Sequence, residues 1–412
     1  MQNILEKIFL KPKTFIFFFS FFICIIFYLI IPESYKHNES TDYLSFYEPV
    51  AKNIAYKGIL IDDLENLGFR YPAGFPIILA IIFILADIFF ISHQNAVFIF
   101  SILCISLSSI IIYLISKNIF GEKKALIAPI LFTTYPLLLW TIKQPNSESP
   151  FMLFILYSIY IIQKIFNNNE KKYEIYILGF TIAYSMLIRP IAILLPLIVI
   201  FFLFLHYLKN KNKKIIEYII NFAIVCAITL LPWEIYAYSK INKIILLSSN
   251  GGASIYDGLT YNVNLKNYRQ KIEYSKEIDE LMNNIKSNTS LKSKPSEILF
   301  VVKKEFLKNP INVIYLYIIK AVRVLYGTDS QRNEAIISII QIIYLSLLAF
   351  CFFKSKYYYS NDIFYIFLLT ILIYIWCMGI LVLSIVRYMV PFISIFFIFT
   401  PIIIKSNKEI KT

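Results

Sequence analysis

Charge is what this chain has least of. Only 16 % of its 412 residues are Asp, Glu, Lys or Arg, against 58 % hydrophobic ones, and the mean hydropathy is +0.66. A soluble domain of this length would need far more charge to cover its surface, so soluble enzymes and soluble binding modules are excluded. Cysteine is scarce and placed uninformatively. All five, Cys24, Cys104, Cys226, Cys351 and Cys377, lie inside apolar runs, so no disulfide framework is implied. Phosphate-binding loops, dinucleotide fingerprints, zinc motifs and nucleophile elbows are missing in any usable context. No internal repeat of about 20–50 residues is evident either.

What is present is apolar sequence in runs long enough to cross a bilayer. Ten runs read as spanning helices: residues 13–31, 96–116, 124–142, 150–166, 174–188, 190–208, 215–233, 335–353, 363–384 and 388–404. The first follows Lys7, Lys11 and Lys13 and ends at Ile31-Pro32-Glu33 with no small-residue cleavage site, so it reads as a retained signal anchor. The net charge of +14 would suit nucleic acid, but the lysines cluster in short connections between runs. Topology accounts for them, and no nucleic-acid partner is expected.

With the N-terminus in the cytoplasm, one set of connections carries Lys117, Lys123 and Lys124; Lys164, Lys171 and Lys172; Lys209, Lys211, Lys213 and Lys214; and Lys354 and Lys356. The tail adds Lys405, Lys408 and Lys411, so both termini are expected in the cytoplasm of a multi-pass cell-membrane protein. The short connections on the other side carry single cations, Lys143, Arg189 and Arg387. Residues 75–91 would invert this asymmetry if they crossed. They are short, contain Asp87 and end without Lys or Arg, which predicts a helix at the outer interface or re-entering the bilayer. Residues 311–326 are expected to lie at the interface too, because Lys320 and Arg323 share one helical face. The expected organisation is a membrane module over 1–233 that includes an outer loop at 32–95, a second outer loop with an interfacial helix at 234–334, and C-terminal spans and tail at 335–412.

The polar groups of the outer side are the candidates for chemistry. Asp42 follows the first span by about ten residues. Glu148 stands just before the fourth, so the two carboxylates can converge at one membrane surface. A carboxylate there can deprotonate a hydroxyl if burial raises its pKa; equally, Asp42 can cap a short helix and Glu148 can be a charge near a helix N-terminus. Arg189 and Arg387 sit at similar places, where guanidinium forks bind the phosphate of an anionic lipid or simply snorkel to headgroups. Pro190 makes Arg189 a fixed turn element. His37, Glu39 and Asp42 are spaced like metal ligands, which leaves room for a divalent metal without requiring or excluding one. Gly251 and Gly252 can let backbone approach a phosphate, or form only a turn.

Seven local patterns then carry a family resemblance: TDYLSFYEPVAKNIA, RYPAGFPIILAIIF, NIFGEKKALIAPILFTTYP, PNSESPFMLFIL, LIRPIAILLP, LLPWEIYAYSKINKIILLSSNGGASIYDG and RYMVPF. Their order resembles the GT-C superfamily of polytopic glycosyltransferases, in particular the family 39-like relatives of protein O-mannosyltransferases and of lipid A aminoarabinose transferase. The resemblance implies an all-α polytopic membrane fold with interfacial helices in the first outer loop. It implies Asp42 as catalytic base, Glu148 as the acidic residue that assists or binds the acceptor, and Arg189 and Arg387 near the lipid phosphate. Tyr43, Arg70, Gly251 and Gly252 are candidate substrate-binding residues. Asp42 is followed by Tyr43 rather than a second acidic residue, which departs from protein mannosyltransferases. The implied reaction is inverting transfer from a polyprenyl-phosphate sugar to a hydroxyl of a glycan, lipid or protein. A flippase or transporter of lipid-linked saccharides and an outer-leaflet polysaccharide polymerase or ligase are the alternatives. The near charge-free spans favour surface chemistry over transport.

Overall fold

The structure is a computed structural model that describes residues 11–32, 42–60, 69–143, 146–242, 244–264, 274–329, 331–356 and 362–404. His37 and Glu39 lie outside the described residues. The described chain is helical: α1 Pro12–Ile30, α2 Glu48–Lys57, α3 Gly74–Ile88, α4 His93–Phe120, α5 Ile127–Thr133, α6 Pro136–Thr141, α7 Glu148–Phe166, α8 Glu174–Ile188, α9 Leu195–Asn210, α10 Lys214–Ile241, α11 Gly251–Asn264, α12 Lys276–Asn288, α13 Pro295–Lys308, α14 Pro310–Arg323, α15 Glu334–Ser355 and α16 Asp362–Leu381. Short turns and a 3-10 segment, Ser394–Ile403, close it. Among the described residues seven helices are long and apolar enough to cross a membrane, with shorter apolar helices beside them.

Two expected spans are not single α-helices. Residues 124–142 break into α5 and α6, because Pro136 leaves Tyr135 extended and restarts the helix. Residues 388–404 run as a four-residue α-helix at Val390–Ile393 followed by the 3-10 segment, with Pro391 and Pro401 each removing a backbone donor. The span expected at 215–233 continues through Pro232 to Ile241, past the domain boundary placed at 233.

The bundle has two chemically distinct ends. α1 and α4 pair antiparallel: the Tyr28 and Phe98 rings lie 3.8 Å apart, and Ile16 packs with Tyr113. Ser20, Ser109 and Thr133 join them midway through hydrogen bonds of 2.8–2.9 Å. The chain between α1 and α4 therefore leaves and re-enters at one end, as the lysine asymmetry requires. α3 buries Phe75, Leu79 and Phe83 and packs on α2, α4 and α8. The lysine-bearing turns meet at the opposite end, where Asn118 bonds Gln163 and Lys172 reaches Glu217.

Helices α11–α14 form a separate small core around Tyr256, Leu259, Ile278, Met282, Ile298 and Leu316. Lys320 and Arg323 do share one face of α14, but that face looks inward. Both are fully buried, 0 % and 1 % exposed, so the face they share packs against the protein. Carbonyl and carboxylate oxygens waiting on the inner side draw them in: Lys320 Nζ donates to the Gly258 carbonyl at 2.7 Å, and Arg323 donates to the carbonyls of Ser384 and Thr328 at 2.9 and 2.8 Å. Arg323 also pairs with Glu334 at 2.7 Å.

Candidate active site

At the end away from the lysines, four elements deliver charged side chains to one point. Asp42 opens a π-helical stretch, Tyr43–Tyr47, that runs into α2. Such wide turns recur at functional sites because they redirect a side chain without ending the helix. Tyr43, Phe46 and Tyr47 are buried beneath it. Tyr43, a candidate for substrate contact, thus packs in the core and supports the turn. The Tyr71 ring sits 5.2 and 5.3 Å from those of Phe46 and Tyr47, and its hydroxyl donates to Asp42 Oδ1 at 2.9 Å. That bond and burial hold the Tyr71 phenol well above its usual pKa, burial contributing most.

Gly74 locks this loop to the next element. A Cβ there would lie 2.5 Å from the Leu187 carbonyl, so only glycine lets the start of α3 meet the end of α8. Two residues later the chain reaches Arg189, which is extended, as the residue before a proline must be. Its guanidinium contacts Glu148 Oε1 at 2.5 Å and Ser147 Oγ at 3.2 Å, and packs over the Tyr388 ring at 5.1 Å.

Glu148 is the first residue of α7, and its side chain is 2 % exposed. Arg387 meets it from the other side, Nε to Oε1 at 2.5 Å. These contacts are close but poorly aligned as hydrogen bonds, since the Glu148 oxygens and Arg387 Nε find no partner of good geometry. Charge pairing rather than directional bonding holds them. Arg387 then extends Nη2 toward Asp42 Oδ2 at 3.6 Å and Nη1 toward Asp329 Oδ2 at 4.0 Å. Burial alone would lower the Arg387 pKa; Glu148, Asp329 and Asp42 raise it well above its ordinary value.

The structure thus brings Asp42, Glu148, Arg189 and Arg387 together. Arg70 is half-buried beside them, over the Tyr71 ring at 5.3 Å. Gly251 and Gly252 are not a turn but the start of α11. A Cβ on Gly252 would stand 2.1 Å from the Ser293 carbonyl, so this glycine serves close packing between α11 and the chain entering α13. Among the described residues no group of three or more His, Cys, Asp or Glu side chains is placed to hold a metal.

Sequence reasoning missed Tyr71, Asp257 and Asp329. Asp257, on α11, feels both Arg70 and Asp42; burial raises its pKa first, Arg70 opposes and Asp42 adds. Asp329 is open to solvent, yet the protein mass around it and the nearby carboxylates raise its pKa against the pull of Arg387. Arg323 fixes its loop: with Thr328 held to Arg323 and Glu334, and Val386 N donating to Gly327 at 2.8 Å, residues 327–329 are tied to the turn that carries Arg387. Asp257 and Tyr71 lay within patterns already singled out, whereas Asp329 had no local signal.

A family model described as dolichyl-phosphate-mannose-protein mannosyltransferase matches residues 72–236, which include Glu148 and Arg189 but not Asp42, Asp329 or Arg387. A search of curated proteins by sequence finds no match. The fold is similar to that of the archaeal oligosaccharyltransferase AglB from Archaeoglobus fulgidus, solved with an inhibitory peptide and a dolichol-phosphate: the TM-score is 0.55 at 12 % identity, over 95 % of this chain and 50 % of that one. The chain therefore spans about half the length of AglB. ArnT from Cupriavidus metallidurans, solved with undecaprenyl phosphate, aligns with a TM-score of 0.43 at 10 % identity, over 97 % of this chain and 78 % of that one.

Proposed function

We propose that the chain, whose fold is similar to that of AglB, is a membrane glycosyltransferase of the GT-C type, and that it moves a sugar from a polyprenyl-phosphate donor to an acceptor hydroxyl, with inversion, at the outer face of the cytoplasmic membrane. The observation that carries this reading is the Arg387 bridge: one guanidinium touches buried Glu148 and faces the partly open carboxylate of Asp42. A base and a fixed cation stand side by side, which is what displacement of a phosphate leaving group by a hydroxyl needs. The dolichol-phosphate bound by AglB supports the donor class.

In the proposed step Asp42 takes the proton of the acceptor hydroxyl. The acceptor oxygen bonds to the anomeric carbon as the carbon–oxygen bond to phosphate breaks, and polyprenyl phosphate leaves with the electron pair. Phosphate is a weak base, so no general acid is required; its growing charge is met by Arg387, whose side chain is 31 % exposed, with Arg70 near by. Glu148 and Arg189 are too buried to serve as the main contacts. They are positioning residues: Arg189 neutralises and orients Glu148, and Glu148 aims Arg387. Tyr71 orients Asp42. Holding both substrates against one preset constellation supplies much of the remaining acceleration.

The test is incubation of the purified protein in vesicles with a panel of radiolabelled polyprenyl-phosphate sugars. Release of free polyprenyl phosphate from one of them, lost in Asp42→Asn, is the expected result. A folded wild-type protein that releases none from any donor, or an Asp42→Asn variant as active as wild type, overturns the proposal.

A further inference from the structure

The outer unit α11–α14 has its own core, yet two of its helices keep an apolar face outside that core. On α14, Ile311, Ile314, Ile318 and Val322 recur at helical spacing and are all exposed. The α13–α14 turn carries Leu307 and Ile311, 74 % and 75 % exposed, on either side of Asn309-Pro310. Between the helices runs an apolar groove of 610 Å³, lined by Val302, Phe306, Ile314 and Ile318, with Lys303 at its wall and Ile380 of α16 closing one side. A free-standing helical unit in water would not present so much contiguous apolar surface.

The groove is continuous with the belt of the bundle that faces lipid. Along α16, Ile366, Leu369, Ile373 and Trp376 form one exposed stripe at helical spacing, and Ile380 is its next member. Trp376 Nε1 donates to the Ala321 carbonyl at 2.9 Å, which joins the top of that stripe to α14. Hydrocarbon that covers the stripe has an unbroken apolar path into the groove, and Lys303 stands where an anionic headgroup would be.

We infer that the α13–α14 hairpin is seated in the outer leaflet, with Leu307 and Ile311 inserted, and that an acyl chain of an anionic phospholipid fills the groove. The chemistry is ordinary for an amphipathic interfacial helix, but its polarity is the reverse of the one the cations suggested. Lys320 and Arg323 turn inward to hold the site, and the opposite face of the same helix meets lipid. The claim does not depend on sugar transfer.

The test uses the full chain with Cys377→Ser, which removes the exposed cysteine and leaves only buried ones among the described residues. Nitroxide labels are placed singly at Ile311→Cys, Ile318→Cys and, as a control on the exposed side of α12, Glu280→Cys. The protein is reconstituted in vesicles of phosphatidylethanolamine and phosphatidylglycerol, and each label is relaxed with oxygen and with a water-soluble nickel chelate. Oxygen should dominate at positions 311 and 318 and the chelate at 280, and brominated phosphatidylglycerol chains should quench a fluorophore at 318 more strongly than one at 280. Chelate dominance at both hairpin positions would show the face to be wet and overturn the inference. So would spin–spin broadening at 311 and 318, because a second copy of the chain would then be the cover.

Discussion

The two ends of the bundle use the same kind of interaction to different effect. At the lysine end Lys172 meets Glu217 at 3.5 Å with both side chains more than half exposed, and Lys117 meets Glu122 in a similar setting. At the other end Arg189 and Arg387 close on a Glu148 that is almost wholly removed from water. Exposed lysine pairs are screened and entropically costly, so they add little to stability, and biasing which side of the membrane the turns occupy is the role we propose for them. The planar guanidinium is more weakly hydrated than an ammonium and can reach several acceptors at once, which is why arginine fills the dry end. Ion pairing by itself therefore does not mark a site. Burial alone does not mark a site either, since Lys164 and Glu174 pair at the lysine end with only 13 % and 8 % of their side chains exposed; what sets the other end apart is two guanidiniums on one carboxylate.

Three changes press on the dry end. Asp42→Asn should lower transfer by about 10²–10⁴-fold while leaving the thermal midpoint in detergent close to wild type, because the amide oxygen still accepts from Tyr71 and the side chain is only partly buried. Glu148→Gln should lose activity and also cost about 3–5 kcal/mol in stability, since it leaves two guanidiniums facing a neutral amide. Unfolding midpoints in denaturant read that cost; a Glu148→Gln protein as stable as wild type would erase the contrast between the ends. Arg323→Gln removes the tie on residues 327–329. Amide exchange at 324–332 and 384–388 should quicken, and transfer should fall less than in Asp42→Asn.

Lys320 sharpens the comparison through pH. Burial first, and Arg323 second, lower its amine from an ordinary 10.5 to about 7. A folded-state pKa below the unfolded one means that the unfolded chain binds the extra proton between those values. Stability should consequently rise as pH increases from about 7 towards 10.5. Lys320→Met should flatten that rise in thermal melts taken across the range. An unchanged slope would mean that Lys320 is not buried as a base on the Gly258 carbonyl.

Much of this was readable before the fold was known, and the failures have a common cause. Asp42, Glu148, Arg189 and Arg387 stood out because apolar runs pin each to a helix end, so their gathering at one end of the bundle was legible. That Arg189 and Arg387 would take the same carboxylate was not, since it depends on Gly74 drawing α3 onto α8 and on how the Val386–Tyr388 turn meets α7. Lys320 and Arg323 show the limit most clearly. Helical period says that two residues share a face, but the direction of that face depends on the Ser384 and Gly258 carbonyls, more than 60 residues away in sequence. Asp329 lies in a stretch with no periodicity at all, and contacts of Gly327 and Thr328 with Arg323, Glu334 and Val386 give it a fixed place.

The smallest expected effect lies at the wet end. Lys172→Ala breaks the pair with Glu217, but its side chain is 70 % exposed and the partner's 53 %, so the loss should be at most about 1 kcal/mol and should shrink further in added salt. Transfer should be unchanged, because among the described residues no contact runs from this turn to Arg387, and one lysine among the many at that end does not decide topology. Denaturant unfolding at low and high salt, beside the donor-release assay, reads both. A loss comparable to that of Glu148→Gln would mean that exposure does not separate the two ends, and the distinction between a charge that orients the chain and a charge that builds a site would have to be drawn from something other than water.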